Sequence, residues 1–315
     1  MTDTAVSVRR LVRVAVAIVL IAVLVAVAGP REIAARLSEA DPSWLAAGLG
    51  LAVLSNLLSA WRWRQLMIWL GTKVPALMAA ADYFRGMTLN ALLPGAVIGG
   101  DVYRAMRAHA HGLGKADAAT SVLLDRLSGL WVLLGLGLAL APQVLTQQQV
   151  AWWSATWPMW ISWPLAAGWL VLPLLMHLGL WHGLGRQKRW QQTTVVTMIR
   201  RFTPGQFARQ YGLQLLVSGG VQVLSASALA CGGQALGLDL SWLTWMCLSA
   251  PIFVAAALPI GFGGWGTREA AAVAVLGLVG VAVPLALSVG LIYGLFGLIQ
   301  ALWGALLFAV SARHP

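Results

Sequence analysis

The chain has 315 residues, 59% of them hydrophobic and 10% charged, with a net charge of +11 and a mean hydropathy of +0.79. Apolar runs of membrane-spanning length recur from end to end, which excludes a separate soluble domain and predicts one integral membrane domain over 1–315. The basic balance would suggest nucleic acid in a soluble protein, but here the charges fall between apolar runs, so no nucleic-acid partner is expected.

Residues 1–10 are polar and basic, and 11–28 form the first predicted span. Ala26-Val-Ala28 before Gly29-Pro30 also suits a signal-peptide cleavage site. The run is long for a signal, and the topology closes with it retained. Span two covers 44–61 and ends in Trp61-Arg-Trp-Arg64. An apolar stretch over 76–92 carries Asp82 and Arg85 and leads into Leu93-Pro-Gly-Ala-Val-Ile-Gly-Gly-Asp-Val-Tyr-Arg104. Spans three to six are predicted at 119–141, 160–181, 211–236 and 285–311, the last with a small-residue pair, Gly290 and Gly294, suited to close packing.

The link 142–159 is uncharged and Trp-rich. It belongs with the 17 Trp that cluster near run ends, as interface belts do. The connection 182–210 carries six Arg/Lys and no acid. Within it Val195, Met198, Ile199 and Phe202 fall at helical spacing, which predicts a helix on an anionic membrane surface. Cys231 and Cys247 lie inside apolar runs and make no disulfide framework.

Between spans five and six lies 242–283, interrupted by Leu258-Pro-Ile-Gly-Phe-Gly-Gly-Trp-Gly-Thr-Arg-Glu269. This stretch repeats the plan of the first one. Each reads Leu-Pro, a short glycine-containing gap, Gly-Gly, three residues and Arg. The counterparts are Gly99-Gly100 with Arg104 and Gly263-Gly264 with Arg268. Glycine and proline interrupt a helix. Such broken backbone in corresponding places of two halves is the mark of a transporter built from internal repeats.

Lys/Arg counts orient the chain. With the N- and C-termini in the cytoplasm, 16 of 21 fall in cytoplasmic segments, among them Arg62, Arg64, Arg104 and Arg107. Arg31 and Arg36 lie outside, and Arg85, Arg126 and Arg268 fall at membrane depth. This parity needs two re-entrant hairpins, 76–111 from the cytoplasm and 242–283 from outside. The expected fold is an all-α polytopic membrane protein of about six crossing helices plus two re-entrant helical hairpins. Its halves, 11–141 and 160–311, would form an inverted-topology repeat in a bacterial inner membrane. The competing reading makes the hairpins full crossings.

Glycine-rich tips at membrane depth must be buried in protein or line a wet cavity. Gly99, Gly100, Gly263 and Gly264 let backbone N–H groups approach a ligand, and the helices that follow point their positive ends at it. Arg104 and Arg268 add forked donors suited to phosphate. Asp101, Glu269, Asn90, Asp125 and Arg126 complete the candidate substrate-binding set. Plainer roles compete. Asp101 could cap the helix it begins, and Glu269 could satisfy the first turn of its own. Asp101/Arg104, Asp125/Arg126, Arg268/Glu269 and Asp82/Arg85 could be internal ion pairs.

Gly261-Phe-Gly-Gly-Trp-Gly266 formally matches a dinucleotide fingerprint, but no strand precedes it. His109 and His111, and His177 and His182, have no ligand-spaced partners, so no metal and no cofactor is expected. No nucleophile–base arrangement stands out, so the chain reads as a non-enzyme.

Four stretches resemble the lysylphosphatidylglycerol synthase transmembrane-domain family, also called flippase-like integral membrane proteins. They are Asn90-Ala-Leu-Leu-Pro-Gly95, Gly99-Gly-Asp-Val-Tyr-Arg104, Ser121-Val-Leu-Leu-Asp-Arg126 and Pro259 through Gly263-Gly-Trp-Gly-Thr-Arg-Glu269. The resemblance implies movement of lipids between leaflets, and the arginines at the tips point to an anionic one. It also implies the stand-alone form, because the chain ends at Pro315 without a soluble aminoacyltransferase domain. The alternatives are a membrane-embedded enzyme acting on a polyprenyl-phosphate lipid, or a partner subunit in glycolipid or hopanoid synthesis. A homo-oligomer is a further expectation.

Overall fold

The structure is a computed structural model that describes residues 30–92, 98–147, 159–183, 200–258 and 263–311. The expected first span, most of the Trp-rich and basic links, the 195–199 part of the surface helix, the Leu93–Val97 and Pro259–Phe262 portions of the two motifs, and Arg313 lie outside these residues.

The described residues form ten helices: α1 (Pro30–Ser38), α2 (Pro42–Leu70), α3 (Ala76–Leu92), α4 (Ile98–Ala110), α5 (Lys115–Gln147), α6 (Met159–Gly183), α7 (Pro204–Ala235), α8 (Trp242–Ala257), α9 (Thr267–Gly277) and α10 (Val283–Ser311). Five of them, α2, α5, α6, α7 and α10, are long and apolar enough to cross a membrane. They contain the expected spans two to six (the last residue of 211–236 falls just past α7).

Local signals set the helix ends. Asp41 caps α2 by accepting the Ser43 N–H at 2.8 Å, with Pro42 at the first position. Gly71, at φ 117°, ends the helix in the left-handed conformation. Thr203 and Gln206 form a reciprocal capping box at the start of α7, and the Ser241 hydroxyl caps α8.

α2 and α7 form the most extensive helix pair, and they run antiparallel. Asp41 N–H reaches Ala235 O, Ser55 bonds Ser225, and Arg62 bonds Ser218, so partner numbers fall as α2 advances. The helical hairpin α3–α4 begins and ends beside the Leu70 end of α2. There the Thr72 hydroxyl donates to His111 O, and one apolar cluster joins Met67 and Leu70 to Ala79, Ala108 and Ala118. The hairpin α8–α9 begins and ends at the other end of the pair, where Leu229, Trp245, Leu276 and Ala286 share a cluster with Leu236 and Val279.

The two halves repeat their pairings. α3 packs on α10, and α8 on α5. α4 packs on α5, and α9 on α10. α2 packs on α3 and α5, and α7 on α8 and α10. Each hairpin thus leans on the last long helix of the other half.

One expectation needs correcting. Span two does not stop at Trp61, and Arg62 is not a loop charge. The helix continues to Leu70, and Arg62 is buried at 5% exposure. Its charge is held inside by a carboxylate and a hydroxyl, so the Trp-Arg-Trp-Arg stretch is interior on one face.

Candidate functional site

The two hairpins meet at residues that flank their tips. A Cβ on Gly263, at the start of the second tip, would lie 3.6 Å from the backbone oxygen of Asn90, at the end of α3. Beside this junction is a cavity of ≈ 320 Å³ lined by α2, α3, α4, α5, α8, α9 and α10. Its polar lining includes Asn56, Tyr83, Asn90, Arg104, Arg126, Arg268, Tyr293 and Gln300.

The first tip is built by close approach. The Gly100 N–H donates to Asn90 Oδ1 at 2.7 Å. A Cβ on Gly100 would collide with the Gly86 backbone oxygen, so only glycine allows α3 and α4 to pack this tightly. In the second tip Gly263, Gly264 and Gly266 take φ values of 58°, 78° and 84°, which L side chains rarely adopt. The turn starts α9, where Gly266 N–H donates to Glu269 Oε2 at 2.6 Å.

Arg104 is 3% exposed. Its Nη2 donates to Asp125 Oδ2 at 2.6 Å, and its Nη1 lies 3.6 Å from Asp101. The guanidinium carbon sits 4.6 Å from the ring centres of both Trp63 and Tyr83. Its Nε is buried without a hydrogen-bond partner among the described residues. Asp125, 1% exposed, also accepts from Arg62 Nε at 2.9 Å. Arg126 reaches Asp101 through both Nε and Nη2, and its side chain keeps 41% exposure.

Arg268 is held on the other side of the cavity. Its Nε donates to Glu269 Oε1 at 2.9 Å and to Gly290 O at 3.1 Å, and its Nη2 also bonds Glu269. The guanidinium lies 4.8 Å from the Trp265 ring and packs on Gly294, whose missing side chain makes the room. The small pair Gly290 and Gly294 therefore receives α9, as its spacing suggests.

Of the sequence-derived residues, Arg104, Arg126, Arg268, Asn90 and Gly263 line the cavity. Asp101, Asp125 and Glu269 stand behind the arginines. Gly100 and Gly264 shape the tips without lining it, and Gly99 is not among the lining residues. Two expected pairings differ. Asp125 holds Arg62 and Arg104 rather than its neighbour Arg126, and Asp101 holds Arg126 instead of capping α4, which begins three residues earlier. Consecutive helical residues point about 100° apart, so an Asp-Arg dipeptide faces two ways. Glu269 caps its turn and also holds Arg268.

Sequence reasoning missed Arg62, Trp63, Tyr83, Trp265 and the Asn56–Gln300 amide pair, which bonds at 2.8 Å. A second centre gathers at Asp82, which accepts from Arg85, Arg107 and His111 at 3.1, 3.0 and 2.8 Å. Among the described residues, no group of three or more His, Cys, Asp or Glu has a metal-holding arrangement.

No curated protein matches the chain in sequence. A family model described as the lysylphosphatidylglycerol synthase TM region matches residues 10–304. Together with the five long apolar helices, this makes the protein a multi-pass membrane protein. The chain belongs to the lysylphosphatidylglycerol synthase TM-region family.

Proposed function

We propose that this protein moves an anionic, phosphate-bearing lipid between membrane leaflets by alternating access. The observation that carries this reading is the cavity between the two hairpin tips, lined by Arg104, Arg126 and Arg268. Around it stand four arginines, counting Arg62, against the carboxylates of Asp101, Asp125 and Glu269. The neighbourhood holds one positive charge in excess. At membrane depth such an excess is costly until an anion joins it.

Arg126 is the first contact for the phosphate, because half of its fork is uncommitted and its side chain is accessible. Arg104 offers its unpartnered Nε. Arg268 is locked by Glu269 and acts through its field. At ≈ 320 Å³ the cavity suits a head group and leaves acyl chains in the bilayer.

The mirrored helix pairings and the antiparallel α2–α7 pair support an inverted repeat with two re-entrant hairpins. In this reading the α2–α7 contact is the axis about which the halves rock. This reading keeps both termini in the cytoplasm and the protein in a bacterial inner membrane, supported by a charge bias of 14 rather than 16 of 21 Lys/Arg once the buried Arg62 and Arg104 are set aside.

The test is a reconstituted-vesicle assay with a fluorescent phosphatidylglycerol, quenched from outside. Wild-type protein should expose inner-leaflet label, and Arg126→Gln should slow exposure about tenfold or more with the fold intact. Exposure no faster than in empty vesicles would overturn the reading.

A further inference from the structure

We propose that the cavity selects a phosphodiester whose remaining head group is uncharged and hydroxylated, and disfavours head groups that carry an amine. This rests on the lipid-transport reading and specifies its substrate class. The first observation is that no Asp or Glu is among the described residues lining the cavity. An ammonium group entering it would find three arginines and no carboxylate partner.

The nearby carboxylates are already engaged. Asp125 holds Arg62 and Arg104, Asp101 holds Arg126 through two nitrogens, and Glu269 holds Arg268 and the Gly266 N–H. Recruiting Asp125 or Glu269 to an amine would break a buried ion pair, which is strongly unfavourable, and recruiting Asp101 would give up its two bonds from Arg126. The arrangement therefore favours the anion and opposes the cation, and selectivity needs both.

The second observation is charge stoichiometry. One positive charge in excess is matched by one phosphodiester anion. A phosphate monoester or a diphosphate would bring more negative charge than the site lacks. An aminoacylated phosphodiester would not cancel the excess: one amine offsets its own phosphate, and the lysyl lipid in the family's description carries two amines and adds to the positive charge.

The third observation is the neutral polar lining. Asn56 gives its amide hydrogens to Ala52 O and Gln300 and keeps its amide oxygen for a ligand, while Tyr83 and Tyr293 supply hydroxyls. These groups suit alcohols, which both donate and accept. Asn90 keeps its amide oxygen on the Gly100 N–H, so its NH₂ end is the part left for a ligand.

The experiment equilibrates purified protein in mixed micelles with equimolar phosphatidylglycerol, phosphatidylethanolamine and lysyl-phosphatidylglycerol, then measures the retained lipids by mass spectrometry. Wild type should retain phosphatidylglycerol over either amine lipid by about tenfold or more, the scale of a like-charge contact out of bulk water. Asn90→Asp keeps an acceptor for Gly100 and adds a carboxylate to the lining, so it should narrow that ratio. Thermal unfolding of the variant confirms that the fold survives. Should Asn90→Asp not fold, Asn56→Asp on α2 adds the carboxylate to the lining instead. Equal retention of the three lipids, or a ratio unmoved by an added carboxylate, overturns the selectivity. The vesicle assay separates the two readings. Equal transport of all three lipids leaves transport standing and removes selectivity. Selective retention without transport leaves selectivity standing and removes transport.

Discussion

Asp125 on α5 accepts from Arg104 on α4 at 2.6 Å while it also holds Arg62 on α2 at 2.9 Å. One carboxylate, 1% exposed, thus joins the first hairpin to the two long helices beside it. Removing one partner of a buried ionic group leaves the others without compensation. Asp125→Ala should lower stability by about 3–5 kcal/mol, because two guanidinium groups lose their shared anion. Asp125→Glu should cost less. Thermal unfolding in detergent measures both, and a wild-type midpoint for Asp125→Ala would contradict this account of the network.

Gly100 and Gly50 should behave oppositely. A Cβ on Gly100 would meet the Gly86 oxygen and the Asn90 side chain, whereas a Cβ on Gly50 would meet nothing within 4 Å. Gly100→Ala should cost about 1–3 kcal/mol by forcing α3 and α4 apart. Gly50→Ala should be neutral or stabilising by up to about 1 kcal/mol, since alanine favours an exposed helix interior. The two midpoints, measured side by side, check the claim that the tip is set by steric closeness.

The same helices show how far the sequence could be read. Five long apolar helices stand where spans two to six were expected, and both Leu-Pro interruptions separate paired short helices. The approach of Gly263 to Asn90 agrees with the need to bury broken backbone in protein. Pairing partners were not legible. Asp125 and Arg126 adjoin in sequence, but their partners lie 63, 21 and 25 residues away, and helix rotation sends them to different faces. Arg62 was hidden because a Trp-Arg-Trp-Arg run resembles a membrane interface. Its burial depends on Asp125 and Ser218, which local pattern cannot supply.

The first turn of α2 gives a pH-dependent prediction outside the spans. The Ser43 hydroxyl and N–H hold the Asp41 carboxyl below its ordinary value of 3.8. A carboxylate with a lowered folded value stabilises above the ordinary range and loses that contribution as pH falls through the folded value. Asp41→Ala should speed hydrogen exchange at the Ser43 amide near neutral pH. That difference should vanish in acid below the folded value. Equal exchange at neutral pH would show that Asp41 does not cap the helix.

The central claim is that a lipid head group passes through the cavity between the tips. Gly297 lines that cavity, and a Cβ there would have open space around it. Gly297→Phe therefore adds bulk to the cavity lining from a position whose Cβ touches neither the arginines nor their carboxylates. The most direct measurement is the rate of fluorescent phosphatidylglycerol exposure in vesicles holding wild type or Gly297→Phe at matched unfolding midpoints. The account predicts that the variant falls to the rate of empty vesicles. A variant that moves lipid as fast as wild type would place the path elsewhere and contradict it.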